Sequence, residues 1–472
     1  MSYSSITKPE DHFNTKLYTG TGSQLAVTGV GFQPDWIWFK NRGTSNSHGL
    51  QDSVRGFNTT GIQSTNGQDA DPAFNGNTLG YVSAVGSDGF TVEAGNCANA
   101  SSNTYVSWNW LAGGSAPAIT YSVKVVSDSG NKYRFDDFGT SAVTLDLQEG
   151  GTYTFDQSDS SNSGHPLRFS TTSDGSHRRG SEYTTGVTTT GTPGSAGAKT
   201  VITVAASAPT LYYYCTQHSG MGGQANTNST FGSSNFGGSL QNIVSANTTA
   251  GFSIVKFVNN TSSTANTFGH GLGVVPKVII MRSLDDAYNW DVHHQDIAIS
   301  QRLVLNSTSA KSNSTYMNST SPTNQVFTVK SDEFGSGSDC IAYCFAEKKG
   351  YSKFGSYTGN GSATDGAFIF TGFKPAWVLI KRTSGTNDWV MYDNKRNSGS
   401  IENGNPNGRY LKPNANSAET NSTRLDFLSN GFKQYNDNGT ENQSGETYIY
   451  MAFAENSFVA NDSGTAVPVT AR

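Results

Sequence analysis

The sequence is poor in cysteine and in charge, and it lacks long apolar runs. Four cysteines among 472 residues are too few for a disulfide framework. No run of roughly 18 apolar residues could span a bilayer as a helix, and the N-terminal residues lack the apolar core of a secretory signal. These absences predict a protein that is made without export and is not inserted into a membrane.

Charged residues make up 14% of the chain, and the formal net charge is −5. No block of lysine and arginine is present, so the concentrated positive charge that binds nucleic acid is missing. Neither a His-Glu-x-x-His zinc motif nor a Gly-x-Ser-x-Gly nucleophile motif occurs. We therefore expect neither a nucleic-acid partner nor an enzyme.

No segment of ten or more residues has a convincing helical apolar period. Instead, 34% of the residues are hydrophobic and 11% aromatic, and 53 glycines are spread along the chain. Short strands joined by many turns fit this composition. The sequence predicts an all-β protein of several domains, because 472 residues exceed the size of a single core.

A pattern of about a hundred residues occurs three times. Each copy has an apolar strand after a Gly- and Pro-containing turn, as in Thr371–Arg382, and closes with an aromatic strand, as in Thr447–Glu455. This pattern predicts three β-sandwich modules of jelly-roll or lectin-like type. The predicted bounds are 1–15 for an N-terminal arm, 16–113, 241–348 and 349–458 for the modules, and 459–472 for a C-terminal tail.

A different unit lies between the first two copies, at residues 119–224, and a linker is expected at 225–240. Near its end, Cys215 is followed by His218 and then by Met221, and His165 stands on an earlier strand-like segment. Thiolate, imidazole and thioether are the ligands of copper electron-transfer sites. The alternative interpretation is that these are ordinary structural residues of a β-sandwich.

The segments His165–Phe169 and Tyr212–Met221 resemble those of the cupredoxins, and the Cys-x-x-His-x-x-Met spacing is that of the amicyanin type. The resemblance covers residues 119–224 and implies a Greek-key sandwich. It also implies a copper ion bound by His165, Cys215, His218 and Met221. One position departs from the family pattern, since Pro166 stands where cupredoxins usually have asparagine after the first histidine.

The opening segments Ser4–Pro9, Phe13–Gly20 and Gly29–Trp36, together with the repeats, resemble surface proteins of tailed phages, especially marine ones. That resemblance implies a structural virion protein, either a tail fibre or spike or a capsid decoration, made in the host cytoplasm and displayed on the virion surface. The implied partners are other virion proteins, further copies of the chain in a homo-oligomer (a trimer by analogy with fibres), and a host-surface glycan. Two alternatives stay open, namely a copper-binding redox or metal-carrier protein and a free carbohydrate-binding lectin.

Overall fold

The computed structural model describes residues 4, 6–68, 76–261, 264–396, 407–457, 459–462 and 465–468. Within these ranges the chain forms 36 strands, and its helices are single turns of three or four residues. They are the α-helical turn Gly76–Leu79 and the 3₁₀ turns Pro9–Asp11, Ser160–Asn162 and Gly175–Arg178. The predicted all-β class is confirmed, and none of these helices is long and apolar enough to cross a membrane.

The strands fall into three modules and one inserted domain, with a short hairpin at the C-terminal end. Module 1 contains Phe13–Thr19 (β1), Leu25–Thr28 (β2), Trp36–Asn41 (β3), Gly49–Asp52 (β4), Val82–Gly86 (β5), Gly89–Val92 (β6) and Thr104–Trp110 (β7). The inserted domain contains Ala118–Ser127 (β8), Asn131–Phe135 (β9), Leu145–Gln148 (β10), Thr152–Asp156 (β11), Leu167–Ser170 (β12), Val187–Thr190 (β13), Lys199–Thr203 (β14), Leu211–Cys215 (β15) and Gly223–Asn228 (β16).

Module 2 contains Ser233–Asn235 (β17), Asn242–Asn247 (β18), Phe252–Val258 (β19), Ala265–Gly269 (β20), Val278–Ser283 (β21), Asp291–His294 (β22), Gln301–Val304 (β23), Ser312–Asn313 (β24), Val326–Lys330 (β25) and Asp339–Phe345 (β26). Module 3 contains Ser352–Thr358 (β27), Phe368–Phe370 (β28), Phe373–Arg382 (β29), Trp389–Asp393 (β30), Asn407–Tyr410 (β31), Thr420–Leu428 (β32), Gly431–Gln434 (β33) and Thr447–Ser457 (β34). The hairpin pairs Val459–Asp462 (β35) with Thr465–Pro468 (β36).

The three modules share one strand order. Their principal sheets run β1-β7-β3-β4, β19-β26-β21-β22 and β27-β34-β29-β30, the second of these being part of a longer sheet. In each case the module's closing aromatic strand lies between its opening strand and the strand that follows the Pro-containing turn. The sequence repeat is therefore also a repeat of topology, and each module has a second sheet, of three, two and four strands respectively.

One face of each principal sheet contributes to a single shared core. On β3, Trp36 and Trp38 belong to this common core, whereas the alternating Ile37 and Phe39 belong to the core of module 1 itself. Strands β21 and β29 divide their side chains in the same way. Because successive side chains of a strand point to opposite faces, this arrangement explains why the strands are continuously apolar. Every residue of β3 and of β21 is buried.

Hydrogen bonds between the modules follow a cyclic order. The Tyr343 hydroxyl of module 2 donates to Asp52 Oδ2 of module 1 at 2.8 Å. The Trp108 indole of module 1 donates to Asp393 Oδ2 of module 3 at 2.9 Å. Asp52 and Asp393 occupy matching positions, opposite Trp36 and Trp377 in their sheets.

In module 2 the matching position is His294, whose Nε2 donates to a backbone carbonyl of module 3, that of Tyr450, at 3.3 Å. Each module thus contacts the next through the same part of its fold, so that one chain closes a pseudo-threefold ring. In homo-oligomers such head-to-tail interfaces close into rings when the rotation allows it. Here the three units are joined covalently.

A second set of contacts repeats around the ring. Trp290 of module 2 donates to the Ser64 carbonyl of module 1 at 2.8 Å, and Trp389 of module 3 donates to the Val304 carbonyl of module 2 at 2.9 Å. His48 occupies the corresponding place in module 1, and the backbone of Lys412 in module 3 faces it. The ring is therefore held by a shared apolar core and by polar contacts at its interfaces.

The structure places several boundaries differently from the sequence-based division. Strand β1 begins at Phe13, inside the segment expected as an arm, whose residues 1–3 and 5 lie outside the described ranges. The segment 225–240, expected as a linker, contains most of β16 and all of β17. The segment 459–472, expected as a tail, includes the β35–β36 hairpin. In each case strand pairing, which composition does not reveal, sets the boundary.

The inserted domain is a sandwich of two sheets, with orders β10-β16-β15-β12 and β13-β14-β11-β8-β9. The chain entering module 2 is bound tightly to it. Phe236 packs in the domain's core against Phe135, and Tyr121 donates to the Ser234 carbonyl at 2.8 Å. Gln148 accepts from the Gly232 amide at 2.8 Å and donates to the Gly114 carbonyl at 3.0 Å. These contacts fix the domain to the ring.

Candidate metal centre

Two neighbouring strands of the inserted domain bring the predicted ligands together. Strands β12 and β15 pair antiparallel, with Leu167 opposite Cys215. His165 lies two residues before Leu167, so it reaches the end of β15 where Cys215 is located. His218 follows in the loop that joins β15 to β16.

Among the described residues, only His165, Cys215 and His218 form a group of metal-ligating side chains close enough to share an ion. The Cys215 sulfur lies 3.8 Å from His165 Nδ1 and 3.8 Å from His218 Nδ1. The two imidazole rings are 4.6 Å apart, centroid to centroid. Cys215 is fully buried, His165 is half-buried and His218 is exposed.

These distances fit one ion bound by all three residues. With metal–sulfur and metal–nitrogen bonds of about 2.3 and 2.05 Å, a trigonal arrangement would separate sulfur from nitrogen by about 3.8 Å. One thiolate and two imidazoles are a donor set that suits copper, whereas a cluster of carboxylates would not suit it. The residues present therefore fit the group that the resemblance implies.

Met221 lies at the end of the same loop and is buried in the domain's hydrophobic core together with Cys215. Its backbone carbonyl accepts from the Tyr133 amide at 3.0 Å, which ties the loop to β9. The next residue must be glycine, since a Cβ on Gly222 would lie 1.7 Å from the Tyr213 carbonyl oxygen. The structure thus brings three of the four predicted ligands together, and it buries the fourth in the core of the same domain.

The thiol and the first histidine have further partners. The Gln217 amide donates to the Cys215 sulfur at 3.4 Å, so a backbone N–H of the loop faces this sulfur. Burial lowers the pKa of His165, and the neighbouring His218 lowers it further. This favours the neutral imidazole, which is the form that binds a metal.

Several residues that surround the ligands were not predicted. Asn131 lies 3.5 Å from His165 Nε2, and both Tyr133 and Gln157 donate to the His165 carbonyl at 2.9 Å. Burial, and secondarily the charge of Cys215, raises the pKa of Tyr133 above its ordinary value, so this hydroxyl stays protonated. Asn131 and Tyr133 come from β9, and Gln157 directly follows β11, so only the sheet pairing places them here. No local motif marks them.

Pro166 replaces the asparagine that usually follows the first histidine in cupredoxins, and its backbone connects the two ligand segments. The Pro166 carbonyl accepts from the Thr216 amide at 3.2 Å, so the backbone joins the first-histidine segment to the cysteine loop. An asparagine side chain is therefore not needed for this connection.

The site lies at the end of the domain that faces away from the ring. Strand β16 begins at Gly223, next to the ligand loop, and ends at Asn228, where the chain turns toward module 2. Six residues of strand span about 20 Å. The ring therefore presents the site at the far tip of the inserted domain, with His218 at its surface.

A family described as a domain of unknown function, DUF7483, matches residues 8–134 and 223–457. The chain belongs to this family. The match covers the three modules and leaves out residues 135–222, which contain His165, Cys215, His218 and Met221. No curated protein and no solved structure matches the chain. The candidate metal centre thus belongs to the part of the chain that lies outside the family's own pattern.

Proposed function

We propose that the inserted domain binds one copper ion through His165, Cys215 and His218. The observation that carries this proposal is the convergence of three soft and borderline donors, at distances that suit a shared ion. Met221, buried at the end of the same loop, is proposed as a weak fourth ligand. When bound, copper would supply reversible one-electron chemistry, and the protein would hold its ligands in place.

Equilibrium dialysis of the full chain against copper, followed by metal analysis, tests this proposal. We expect one copper per chain, lost in Cys215→Ser and in His165→Ala. Cys97→Ser is the matched control, because Cys97 is also buried and free but lies in the core of module 1. Equal copper content in Cys215→Ser and the wild type would contradict the assignment.

For the rest of the chain, we propose a structural role on the surface of a tailed-phage virion. The closed ring supports this role, because its buried faces serve packing between modules and its inserted domain projects outward from them. Such a protein would be a rigid structural component that contacts other virion proteins and is not itself an enzyme. The proposed locations are a tail fibre or spike and the capsid surface.

Immunogold labelling of particles purified from the virus that encodes this chain tests the structural role. We expect labels at defined positions on intact particles, and peptides of the chain in their mass spectra. A protein found only in the lysate supernatant, with bare particles, would contradict it.

An edge strand of module 3 supports a proposal of host-glycan contact. Phe368 and Phe370 are 48% and 60% exposed, whereas Ile369 between them is buried. Their rings lie on the same face of β28, where aromatic faces could stack on sugar rings. We expect a glycan array to give binding that Phe368→Ala weakens, with Val274→Ala as an exposed apolar control on module 2. A blank array for the wild type would contradict the contact.

A further inference from the structure

The turn at residues 174–179 contacts both ends of the ligand loop. His177 Nε2 lies 2.9 Å from the carbonyl oxygen of Cys215, so this nitrogen carries the proton and donates. Asp174 Oδ1 accepts from the Gly220 amide at 2.8 Å. One contact therefore holds the loop at its cysteine, and the other holds it immediately before Met221.

The backbone of this turn has an uncommon conformation. Asp174 and Arg179 have φ angles of +60° and +65°, in the left-handed region that non-glycine residues rarely adopt. Between them, Gly175 has φ +52°, and a Cβ there would lie 2.4 Å from the Tyr214 ring. Such conformations persist where surrounding contacts determine them, and they concentrate at functional sites.

We infer that His177 and Asp174 are positioning residues that hold the Cys215–Met221 loop in its metal-binding conformation before the metal arrives. The inference rests on the proposed copper binding. Neither residue belongs to the Cys-x-x-His-x-x-Met motif, and both come from a turn that packs against β15. By fixing the backbone on either side of His218, they reduce the rearrangement that binding would require. Residues that orient ligands in this way typically change metal affinity when they are substituted.

Copper affinity of the full chain tests the role of His177. His177→Phe keeps a ring but cannot donate to the Cys215 carbonyl, and we expect about a 10- to 100-fold loss of affinity. His177→Gln places an amide N–H near the same position, and we expect it to restore most of the affinity. The visible absorption of the copper-loaded protein should shift in the Phe variant and return in the Gln variant. Equal affinity and equal spectra in all three proteins would overturn the role.

Hydrogen exchange on the metal-free chain tests whether Asp174 holds the ligand loop in the absence of copper. Asp174→Ala removes the acceptor of the Gly220 amide, and we expect faster exchange across residues 216–221. Asp174→Asn keeps an acceptor oxygen and tolerates the left-handed conformation, so its exchange should match the wild type. Faster exchange in the Ala variant alone supports the positioning role of Asp174, whether or not the protein binds copper. A failure to bind copper would refute the proposed function and leave this result unaffected. Equal exchange in all three proteins would overturn the positioning role of Asp174.

Discussion

The contact between Tyr343 and Asp52 offers the sharpest test of the ring. The Asp52 carboxylate is fully buried and accepts four hydrogen bonds. Its Oδ1 accepts from the amides of Val54 and Arg55 at 3.1 and 2.9 Å. Its Oδ2 accepts from Arg55 Nε at 2.5 Å and from the Tyr343 hydroxyl at 2.8 Å. Only the last of these bonds crosses from one module to another.

Tyr343→Phe removes that bond, together with the longer one that the same hydroxyl accepts from Arg55 Nη2 at 3.4 Å, and leaves the aromatic ring in the shared core. A hydrogen bond to a charged group contributes about 1.5–3 kcal/mol, and a buried carboxylate that loses one partner cannot recover it from water. Because Arg55 still pairs with the same oxygen, we expect the free energy of unfolding to fall by about 2 kcal/mol. Urea unfolding followed by tryptophan fluorescence measures the change.

Tyr316→Phe is the matched control. Tyr316 is also fully buried in module 2, but its hydroxyl has no hydrogen-bond partner among the described residues. Removing an unpartnered buried hydroxyl should leave stability unchanged or raise it. If both variants shift the unfolding midpoint equally, the Tyr343–Asp52 contact contributes nothing to the ring, and the reasoning is refuted.

Two further predictions concern the ring. Burial lowers the pKa of Lys40 and of Lys381 to about 8. Between pH 8 and the ordinary lysine pKa, the unfolded chain therefore binds more protons than the folded chain, and the free energy of unfolding rises with pH. We expect Lys40→Met to reduce the gain in unfolding free energy from pH 8 to 9 by about 1 kcal/mol; identical pH slopes in the two proteins would contradict this. Because one chain already closes a threefold arrangement, light scattering of purified protein should give the mass of one chain, whereas a mass of three chains would support the trimer expected from fibre analogy.

Much of the fold could be predicted from sequence, because the signals were local. Apolar runs such as Val278–Met281 indicated strands, and the repeated closing strands indicated three related β modules. The closed ring could not be predicted, since it depends on contacts such as Trp108 with Asp393, which are 285 positions apart. No composition or period marks such a pair.

The candidate metal centre could likewise be predicted only in part from the sequence. Cys215, His218 and Met221 have a recognisable spacing, and the resemblance added His165 from a separate segment. The supporting residues could not be found, because Asn131 and His177 reach the site only through strand pairing and a turn of unusual backbone conformation. The end of the domain was also placed too early, because β16 pairs with β10 through residues rich in asparagine and threonine that resemble a linker.

Visible absorption during a copper(II) titration of the purified full chain tests the central claim most directly. Metal analysis counts bound copper, but an intense charge-transfer band reports that a thiolate is bound to it. We predict a blue or green band that saturates at one equivalent, is absent in Cys215→Ser and is lost or strongly altered in His165→Ala. A protein that stays colourless through the titration would contradict a copper centre formed by His165, Cys215 and His218.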